Sequence, residues 1–328
     1  RKNYCYKLSM KNLIAIVAGE PNSINSEIIG KAWIKKKKLK NLFVIGNYSL
    51  LKKQFSRLKI KIPLIKINNL EPFREKKKLY ILDVPLKFKS TFNVSFSSTK
   101  SYVLRCLDVA HDLALKKKIS GFINAPIDKK IFVDKYLGVT EYLSNKNRIK
   151  NKEVMLIHNK NLSVAPLTTH IEIKNITNKI SLNLIKKKIT TLNNSYLKLF
   201  KKKPKIAILG LNPHNSENKI HSIEHKIIRP AVIKLKKMKI DIKGPFPADT
   251  VFFKENLISF DVIVGMYHDQ VLAPFKALFG YDAINITLGL KYLRVSPDHG
   301  TAQNIVGLNK ANSQSLVSAI NFLNRIND

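Results

Sequence analysis

The sequence predicts an α/β protein with a largely parallel sheet. Short runs of apolar and β-branched residues alternate with segments in which apolar residues recur at helical spacing, the pattern of parallel strands joined by helices. The chain has 328 residues and 45% of them are hydrophobic, which is enough for two lobes that each bury a core. Because no internal repeat or low-complexity linker separates the halves, we expect the two lobes to be interleaved along the chain.

The predicted elements follow the chain in order. Buried strands are expected where short apolar runs are bounded by turn residues, at 13–18, 42–45, 79–82, 121–124, 154–157, 162–165, 206–209, 262–266 and 284–288. Helices are expected where apolar residues recur three and four positions apart, from near residue 23 and at 99–118, 175–200, 225–237 and 313–326.

The chain is strongly basic, with a formal net charge of +37. Such a charge favours nucleic acid or an anionic membrane surface when the cations are clustered on one face. Here no aromatic residues are interleaved with the lysines as in a base-stacking surface, and the lysine runs are scattered at 35–38, 76–78, 116–118, 186–188 and 201–203. We therefore interpret them as solvated surface, mostly at helix ends, where cations complement the helix dipole.

The chain carries few cysteines and no long apolar run. Cys5 and Cys106 are too few for a disulfide framework and stand in no metal-binding spacing. No segment approaches the roughly 18 apolar residues that indicate a membrane-spanning helix, and the basic residues 1–10 are not followed by a secretion-signal pattern. We expect a cytoplasmic protein.

Three histidines each follow an apolar strand. His170 ends the segment that begins with strand 162–165, His214 follows strand 206–209, and His268 follows strand 262–266. Ligands gather at the carboxyl ends of parallel strands, and three imidazoles brought together there form an open site for a divalent metal such as Zn²⁺. The alternative, that each histidine only caps its strand by hydrogen bonding, stays open on spacing alone.

The segment 285–302 is rich in residues that suit phosphorylated ligands. Lys276 precedes it and Arg294 lies within it, and both cations are suited to hold a phosphate or carboxylate, although Lys276 is also typical of surface lysines. Residues 299–302, His-Gly-Thr-Ala, predict a tight turn before a helix. Exposed N–H groups and a ring for stacking at that turn suit a nucleotide.

Several short motifs occur in order from about residue 13 to the end of the chain. They are Gly19-Glu20-Pro21, Ala125-Pro126-Ile127-Asp128-Lys129, Thr140-Glu141-Tyr142, Thr168-Thr169-His170, Gly210-Leu211-Asn212-Pro213-His214, Gly244-Pro245-Phe246-Pro247-Ala248-Asp249-Thr250, Met266-Tyr267-His268-Asp269-Gln270, Asn285-Ile286-Thr287-Leu288-Gly289 and Asp298-His299-Gly300-Thr301-Ala302. Together they resemble the 4-hydroxythreonine-4-phosphate dehydrogenase family of vitamin B6 biosynthesis.

The resemblance implies the two-lobed fold of the isocitrate and isopropylmalate dehydrogenases, with the active site in the cleft. A GxGxxG dinucleotide-binding motif is not part of that fold, and the sequence contains none. On this interpretation residues 13–135 with 285–328 form the cofactor-side lobe. Residues 136–284 form the lobe for metal, substrate and dimerisation.

The resemblance also implies roles for individual residues. The histidines matching His170, His214 and His268 bind one divalent ion (Zn²⁺, Co²⁺ or Mg²⁺) at a homodimer interface, with ligands from both subunits. The substrate contacts are Thr140, Lys276, Asn285 and Arg294, and the cofactor contacts are His299, Gly300, Thr301, Ala302 and Asn304. Asp249 and Asp269 are the catalytic candidates, to orient ligand imidazoles or relay a proton, with surface carboxylates as the alternative.

The implied reaction is oxidation of the C3 hydroxyl of 4-phosphooxy-L-threonine by NAD⁺ or NADP⁺, then decarboxylation to 3-amino-2-oxopropyl phosphate. Some positions depart from the family. Val139 stands where the family usually has a substrate-binding His, and residues 22–25, Asn-Ser-Ile-Asn, replace Ala-Gly-Ile-Gly, losing two glycines. Asn124 replaces a Thr, Asp128 an Asn, and Asn304 an Asp that suits a ribose diol, which leaves the choice between NAD and NADP open.

Three other functions stay open. A dehydrogenase of the same family could act on another phosphorylated hydroxy acid, a threonate or erythronate phosphate, and Val139 favours that. A basic nucleic-acid-binding protein would explain the net charge but not the three histidines after strands. An enzyme that keeps the metal but has lost turnover would fit the altered loop at 22–25.

Overall fold

A computed structural model describes residues 12–36, 41–70, 77–133, 136–149, 152–280 and 282–327. Residue contacts divide the chain into two compact units. The first unit comprises residues 1–133 and 291–328, and the second comprises residues 134–290.

The described residues form twelve strands and ten α-helices. In chain order the strands are β1 (Ile14–Val17), β2 (Leu42–Gly46), β3 (Leu64–Ile67), β4 (Leu79–Asp83), β5 (Gly121–Asn124), β6 (Val154–His158), β7 (Ser163–Pro166), β8 (Ile206–Leu209), β9 (Ile242–Phe246), β10 (Val262–Gly265), β11 (Ile284–Leu288) and β12 (Leu293–Pro297). The helices are α1 (Asn25–Lys35), α2 (Tyr48–Arg57), α3 (Phe96–Leu115), α4 (Val139–Lys146), α5 (Ile176–Lys179), α6 (Leu182–Phe200), α7 (Arg229–Lys237), α8 (Lys254–Leu257), α9 (His268–Phe279) and α10 (Gln314–Asn327).

The first unit contains six parallel strands in the order β3-β4-β2-β1-β5-β12. Its central strand β1 is buried along its whole length. A strand covered on both faces needs apolar side chains at every position, and the sequence Ile-Ala-Ile-Val of β1 meets that need. The short apolar runs in the sequence therefore predict central strands well.

The second unit contains the strand order β11-β6-β7-β10-β8-β9. Strands β7, β10, β8 and β9 are mutually parallel, while β6 is antiparallel to both of its neighbours. The prediction of an α/β protein with a largely parallel sheet is confirmed. The parallel group places the carboxyl ends of β7, β10 and β8 side by side.

All of the predicted strands are present, with ends that move by at most one residue. The predicted helix 175–200 is divided, because the Ser181 side chain accepts a hydrogen bond from Leu184 N at 3.2 Å and so begins α6. The predicted helix 225–237 begins with a π-helical turn at Glu224–Ile228 before α7. Strands β3, β9 and β12 and helices α2, α4, α8 and α9 were not predicted; β9 contains Gly244 and Pro245, which are rare inside strands.

Two lysine runs lie where the sequence predicts. Residues 116–118 follow α3 and residues 201–203 follow α6, and all of these lysines are exposed. Burial raises the pKa of the Cys106 thiol to about 12, which makes it unreactive, and Cys5 lies outside the described residues. None of the helices in the described part of the chain is long and apolar enough to cross a membrane.

The core of the second unit packs under helix α9. Phe275 in this helix is fully buried in a cluster that includes Val164 of β7, Leu209 of β8 and Ile263 of β10. Phe279, at the end of the same helix, is only partly buried against the cluster. The helix that begins with His268 is therefore anchored on the three parallel strands through Phe275.

Phe275→Ala should lower the free energy of unfolding by about 3–5 kcal/mol, because it leaves a cavity in this core. Phe279→Ala should cost less, since its ring keeps part of its surface in water. Urea titrations followed by circular dichroism measure both values. Equal effects of the two substitutions would contradict the packing described for α9.

Candidate functional site

Three histidines follow the carboxyl ends of three neighbouring strands in the second unit. Strand β7 leads to His170, β10 leads to His268 and β8 leads to His214. Because β10 lies between β7 and β8 and is parallel to both, the three chain segments emerge at one edge of the sheet, where ligands bind in such folds. Each histidine therefore stands after a strand as the sequence predicts, and its role as a ligand stays a prediction.

His170 and His268 lie next to each other. Their ring centroids are 5.8 Å apart and the ring planes meet at 37°. The His170 side chain is exposed and that of His268 is half-buried. Two imidazoles that face a common exposed space provide two nitrogen donors of the type that Zn²⁺ and related ions prefer.

Asp269 contacts the ring of His268. Nδ1 of His268 lies 2.6 Å from Oδ1 of Asp269. A carboxylate can only accept a hydrogen bond, so Nδ1 is the donor in this contact and Nε2 is the ring nitrogen left for a ligand. Histidines that ligate a metal are commonly held by a carboxylate in this way. The contact suits the orienting role predicted for Asp269, although its side chain is 82% exposed.

The segment that carries His214 has an unusual backbone. Residues 214–217 all have φ between 48° and 55°, a left-handed conformation that residues other than glycine adopt at a cost. Such a turn needs side-chain support to persist. Asn215 provides part of that support, because its Nδ2 donates to the carbonyl oxygen of Pro245 at 3.0 Å.

Glu224 provides the larger part of this support, and the sequence analysis did not predict it. Its fully buried carboxylate accepts hydrogen bonds from the backbone N–H groups of Leu211 and Asn212 at 2.9 and 2.8 Å. It also accepts from the Asn212 amide at 3.1 Å and from Ser216 Oγ at 3.1 Å. Burial alone would raise the pKa of Glu224, but these hydrogen bonds more than offset burial and lower it.

A complete metal site is not formed by the described part of one chain. Among these residues, no group of three or more His, Cys, Asp and Glu side chains is arranged to hold a metal ion. The structure thus brings His170 and His268 together and leaves His214 outside the pair. Asp249 is exposed after the edge strand β9. A ligand set shared between two subunits, as the resemblance implies, would not be complete within a single chain.

Three of the predicted substrate residues belong to the second unit. Thr140 is half-buried in the first turn of α4, and Lys276 is exposed in the last turn of α9. Asn285 in β11 has a buried Oδ1 without a hydrogen-bond partner among the described residues. A buried polar oxygen without a partner is costly, and a hydrogen bond from a bound ligand would remove that cost.

The fourth predicted substrate residue, Arg294, belongs to the first unit and is 3% exposed. Its Nε donates to Oδ1 of Asn124 at 2.5 Å. Asn124 stands where the related family has Thr, and a Thr hydroxyl is shorter than the amide that reaches Arg294 here. This substitution therefore gives the buried guanidinium a fixed acceptor, a role that the sequence did not reveal.

The predicted cofactor segment forms a turn in the first unit. Ala302 has a φ of 47°, and Nδ1 of His299 lies 3.1 Å from the carbonyl oxygen of Gly300. Nε2 of His299 is buried without a hydrogen-bond partner among the described residues. Thr301 accepts a hydrogen bond from Ile24 N at 3.3 Å, and Asn304 is exposed.

The helix expected directly after this turn is replaced by a single 3₁₀ turn at Gln303–Ile305. The next α-helix, α10, begins only at Gln314. The predicted helix is therefore wrong for this segment, and one short turn aligns few peptide dipoles. A nucleotide would have to be held by the N–H groups and side chains of the turn itself.

The altered loop at 22–25 is stabilised by its new side chains. Asn22 both donates to and accepts from the backbone of Val94 at 2.8 Å, Ser23 donates to Glu20 O at 2.5 Å, and Asn25 donates to Pro126 O at 2.7 Å. None of the residues 22–25 has a positive φ, so the lost glycines are not required by the backbone here. Burial raises the pKa of Glu20, which precedes this loop.

Comparison with known proteins gives concordant matches. The family model described as pyridoxal phosphate biosynthetic protein PdxA matches residues 38–323. A relative from Sulfurihydrogenibium sp., named 4-hydroxythreonine-4-phosphate dehydrogenase, is 37% identical over 94% of this chain and 96% of its own length. A relative from Salmonella typhimurium, named D-threonate 4-phosphate dehydrogenase, is 32% identical over 94% of this chain and 96% of its own length.

Solved structures agree with the fold. The 4-hydroxythreonine-4-phosphate dehydrogenase of Klebsiella pneumoniae is similar with a TM-score of 0.81 and 28% identity, covering 97% of this chain and 100% of that one. A β-decarboxylating dehydrogenase of Thermococcus kodakarensis has a TM-score of 0.51 at 11% identity, covering 95% of this chain and 84% of that one. The second match concerns the fold alone: this chain shares the fold of a β-decarboxylating dehydrogenase.

Glu224→Gln should lower the free energy of unfolding at pH 7 by about 1–3 kcal/mol, because buried donors lose a charged acceptor. A lowered pKa in the folded state stabilises the fold above the ordinary value of 4.5, and that stabilisation is lost as the pH falls through the lowered pKa. The difference between variant and wild type should therefore shrink below about pH 4.5, as urea titrations at several pH values can measure. Glu217→Gln, at an exposed position of the same segment, is the matched control and should change little; a Glu224→Gln effect independent of pH would contradict the assignment.

Proposed function

Since the chain belongs to the family of the pyridoxal phosphate biosynthetic protein PdxA, we propose that it is a metal-dependent 4-hydroxythreonine-4-phosphate dehydrogenase. It oxidises the C3 hydroxyl of 4-phosphooxy-L-threonine with NAD⁺ or NADP⁺. The resulting 3-oxo acid loses CO₂ and leaves 3-amino-2-oxopropyl phosphate. The observation that carries the proposal is the pair of imidazoles, His170 and His268, at the carboxyl ends of adjacent parallel strands.

The donor set fits a divalent metal. His170 and His268 would hold the ion together with His214, and the hydrogen bond from His268 to Asp269 leaves Nε2 of His268 as the ligand atom. A bound divalent ion supplies Lewis-acid stabilisation of negative charge on a substrate oxygen. The choice among Zn²⁺, Co²⁺ and Mg²⁺ stays open, although imidazole donors favour Zn²⁺ and Co²⁺ over Mg²⁺.

Side chains of the second unit bind and orient the substrate. Thr140 and Lys276 offer a hydroxyl and a cation to the phosphate, and a cation contributes most where binding also excludes water. The unpartnered Oδ1 of Asn285 accepts a hydrogen bond from the substrate's amino or hydroxyl group. Arg294, fixed by Asn124, provides a second cation for a carboxylate or phosphate. Asp249 and Asp269 are the carboxylates available to accept the hydroxyl proton.

The turn at 299–302 fits part of a dinucleotide. No atom beyond the adjacent residues of the chain lies within 4 Å of a Cβ built on Gly300, so a ligand has room beside that residue. Nε2 of His299 is buried without a hydrogen-bond partner among the described residues. A nicotinamide cofactor held at this turn would supply the hydride acceptor. Asn304 is neutral, so it neither favours a ribose diol by charge nor repels a 2′-phosphate.

The enzyme is also proposed to act as a homodimer in the cytoplasm. Two observations support a dimer. Among the described residues of one chain, no third ligand completes a metal site with His170 and His268. The apolar side chain of Ile173, shortly after His170, is 78% exposed. The measurement is sedimentation velocity of the metal-loaded protein, and a monomer at enzyme-assay concentration would count against the shared metal site.

Purified enzyme should reduce NAD⁺ or NADP⁺ with 4-phosphooxy-L-threonine, and a chelator should abolish the absorbance increase until Zn²⁺ or Co²⁺ is restored. His214→Ala should lower kcat/KM by about a hundredfold or more, because losing a ligand costs at least as much as losing its supporting hydrogen bond. His221→Ala, at an exposed histidine close by in the chain, is the matched control.

Metal-independent turnover, or equal activity of the two histidine variants, would contradict the assigned metal site. If folded, metal-loaded protein does not turn over 4-phosphooxy-L-threonine, the assignment of this substrate is wrong. The two failures are distinguishable because metal binding is measured without any substrate.

A second substrate class is favoured by one position. Val139, the first residue of α4, stands where the family usually has a substrate-binding His, and an apolar side chain cannot donate to a phosphate or hydroxyl. The Salmonella typhimurium relative named D-threonate 4-phosphate dehydrogenase shows that related chains act on phosphorylated hydroxy acids without the amino group. D-threonate and D-erythronate 4-phosphates are therefore the alternative substrates.

Val139→His should raise kcat/KM for 4-phosphooxy-L-threonine by about tenfold or more, the effect of one added hydrogen bond to a charged group. Val139→Leu, which adds bulk without a donor, is the control and should not raise it. Steady-state kinetics on all three phosphorylated acids gives the comparison. If wild type prefers threonate phosphate and the histidine variant does not change that preference, position 139 does not determine specificity.

A further inference from the structure

Two hydrogen bonds join the segment before His170 to the segment before His268. Oγ1 of Thr168 donates to the carbonyl oxygen of Met266 at 2.7 Å, and the backbone N–H of Thr168 donates to the same oxygen at 3.2 Å. Thr168 is 4% exposed. These bonds fix the distance between the chain segments that carry the histidine pair.

Gln270 joins the segment before His268 to the segment before His214. Its Oε1 accepts from the backbone N–H of Met266 at 2.7 Å, and its Nε2 donates to the carbonyl oxygen of Gly210 at 2.7 Å. Both ends of the amide are used, so a reversed amide would oppose donor to donor and acceptor to acceptor. The side chain can therefore hold the ends of β10 and β8 in only one arrangement.

The space around Gln270 is closed. A Cβ built on Gly265, the last residue of β10, would lie 3.0 Å from Oε1 of Gln270 and 2.6 Å from Cγ1 of Val271. Gln270 itself is 8% exposed. The amide is thus packed between the strand ends. A water molecule could take its place only if the substitution left a cavity large enough to hold that water.

We propose that Thr168 and Gln270 are positioning residues for metal binding: they set the spacing of the three histidine-bearing segments before any ion is bound. The inference rests on the proposed function, since it assumes that His170, His214 and His268 are ligands. Its physical basis is the narrow tolerance of a metal site, in which bond lengths vary by only about 0.2 Å. Loss of one bridge would let a histidine move by more than that.

The test is titration of the metal-free full-length chain with Co²⁺, followed by visible absorption and by competition with a chromogenic chelator. Gln270→Met keeps the side-chain volume and loses both hydrogen bonds. Gln270→Glu keeps the acceptor for Met266 N but places a carboxylate against the carbonyl oxygen of Gly210. Thr168→Val removes the hydroxyl, whereas Thr168→Ser keeps it.

Gln270→Met and Thr168→Val should each raise the dissociation constant for Co²⁺ by about 10- to 100-fold, the usual cost of removing support from a metal ligand. Their absorption bands should shift or broaden, and Thr168→Ser should recover the wild-type spectrum. Gln54→Met is the matched control. Gln54 is a buried glutamine of the first unit that donates to Pro21 O and Thr91 O, so its loss destabilises the fold without touching the histidines.

Wild-type affinity and spectrum in both Gln270→Met and Thr168→Val would overturn the positioning role. A loss of affinity in Gln54→Met as large as in Gln270→Met would also overturn it, because general destabilisation would then explain the result. If wild type binds no Co²⁺ at all, the metal site and the inference fall together. If wild type binds Co²⁺ but turns over none of the three phosphorylated acids, only the assigned reaction fails.

Discussion

Parallel strands β7, β10 and β8 run side by side in the second unit, so the chain leaves all three at the same edge. This alignment brings distant parts of the sequence together, but it also leaves backbone N–H and C=O groups there without strand partners. Buried groups of that kind must be satisfied. Thr168, Gln270 and Glu224 satisfy several of them, and the same hydrogen bonds hold the segments that carry the histidines. The same hydrogen bonds therefore stabilise the fold and hold the segments of the predicted site in place.

The first unit uses the same principle with charged side chains. Glu27, almost fully buried in α1, accepts from Ala311 N at 2.6 Å and from Lys31 Nζ at 2.7 Å. Buried Arg294 donates to Asn124. A buried charge is costly unless paired, so each of these residues is held in one arrangement. The segment beyond the predicted cofactor turn is thereby attached to α1, and Arg294 is attached to β5.

The sequence predicts the strands well because central parallel strands such as β1 are apolar at every position. It predicts the edge strand β9 poorly, since Gly244 and Pro245 lack strand propensity and are tolerated only at an edge. The placement of the histidines after strands could also be predicted. Glu224 could not, because nothing in one sequence distinguishes a buried carboxylate that accepts four hydrogen bonds from an exposed one. Partners distant in sequence decide that difference.

The departures from the family fall into two physical classes. Asn22, Asn25 and Asn124 replace smaller side chains, and each makes a hydrogen bond to a buried or partly buried partner. Val139 is different, because it replaces a donor with an apolar side chain. Substitutions that add internal hydrogen bonds preserve a fold whatever the substrate, whereas loss of a donor changes what the site can recognise. The substitution at position 139 is therefore the one that can change the substrate. The altered loop at 22–25 does not indicate lost activity.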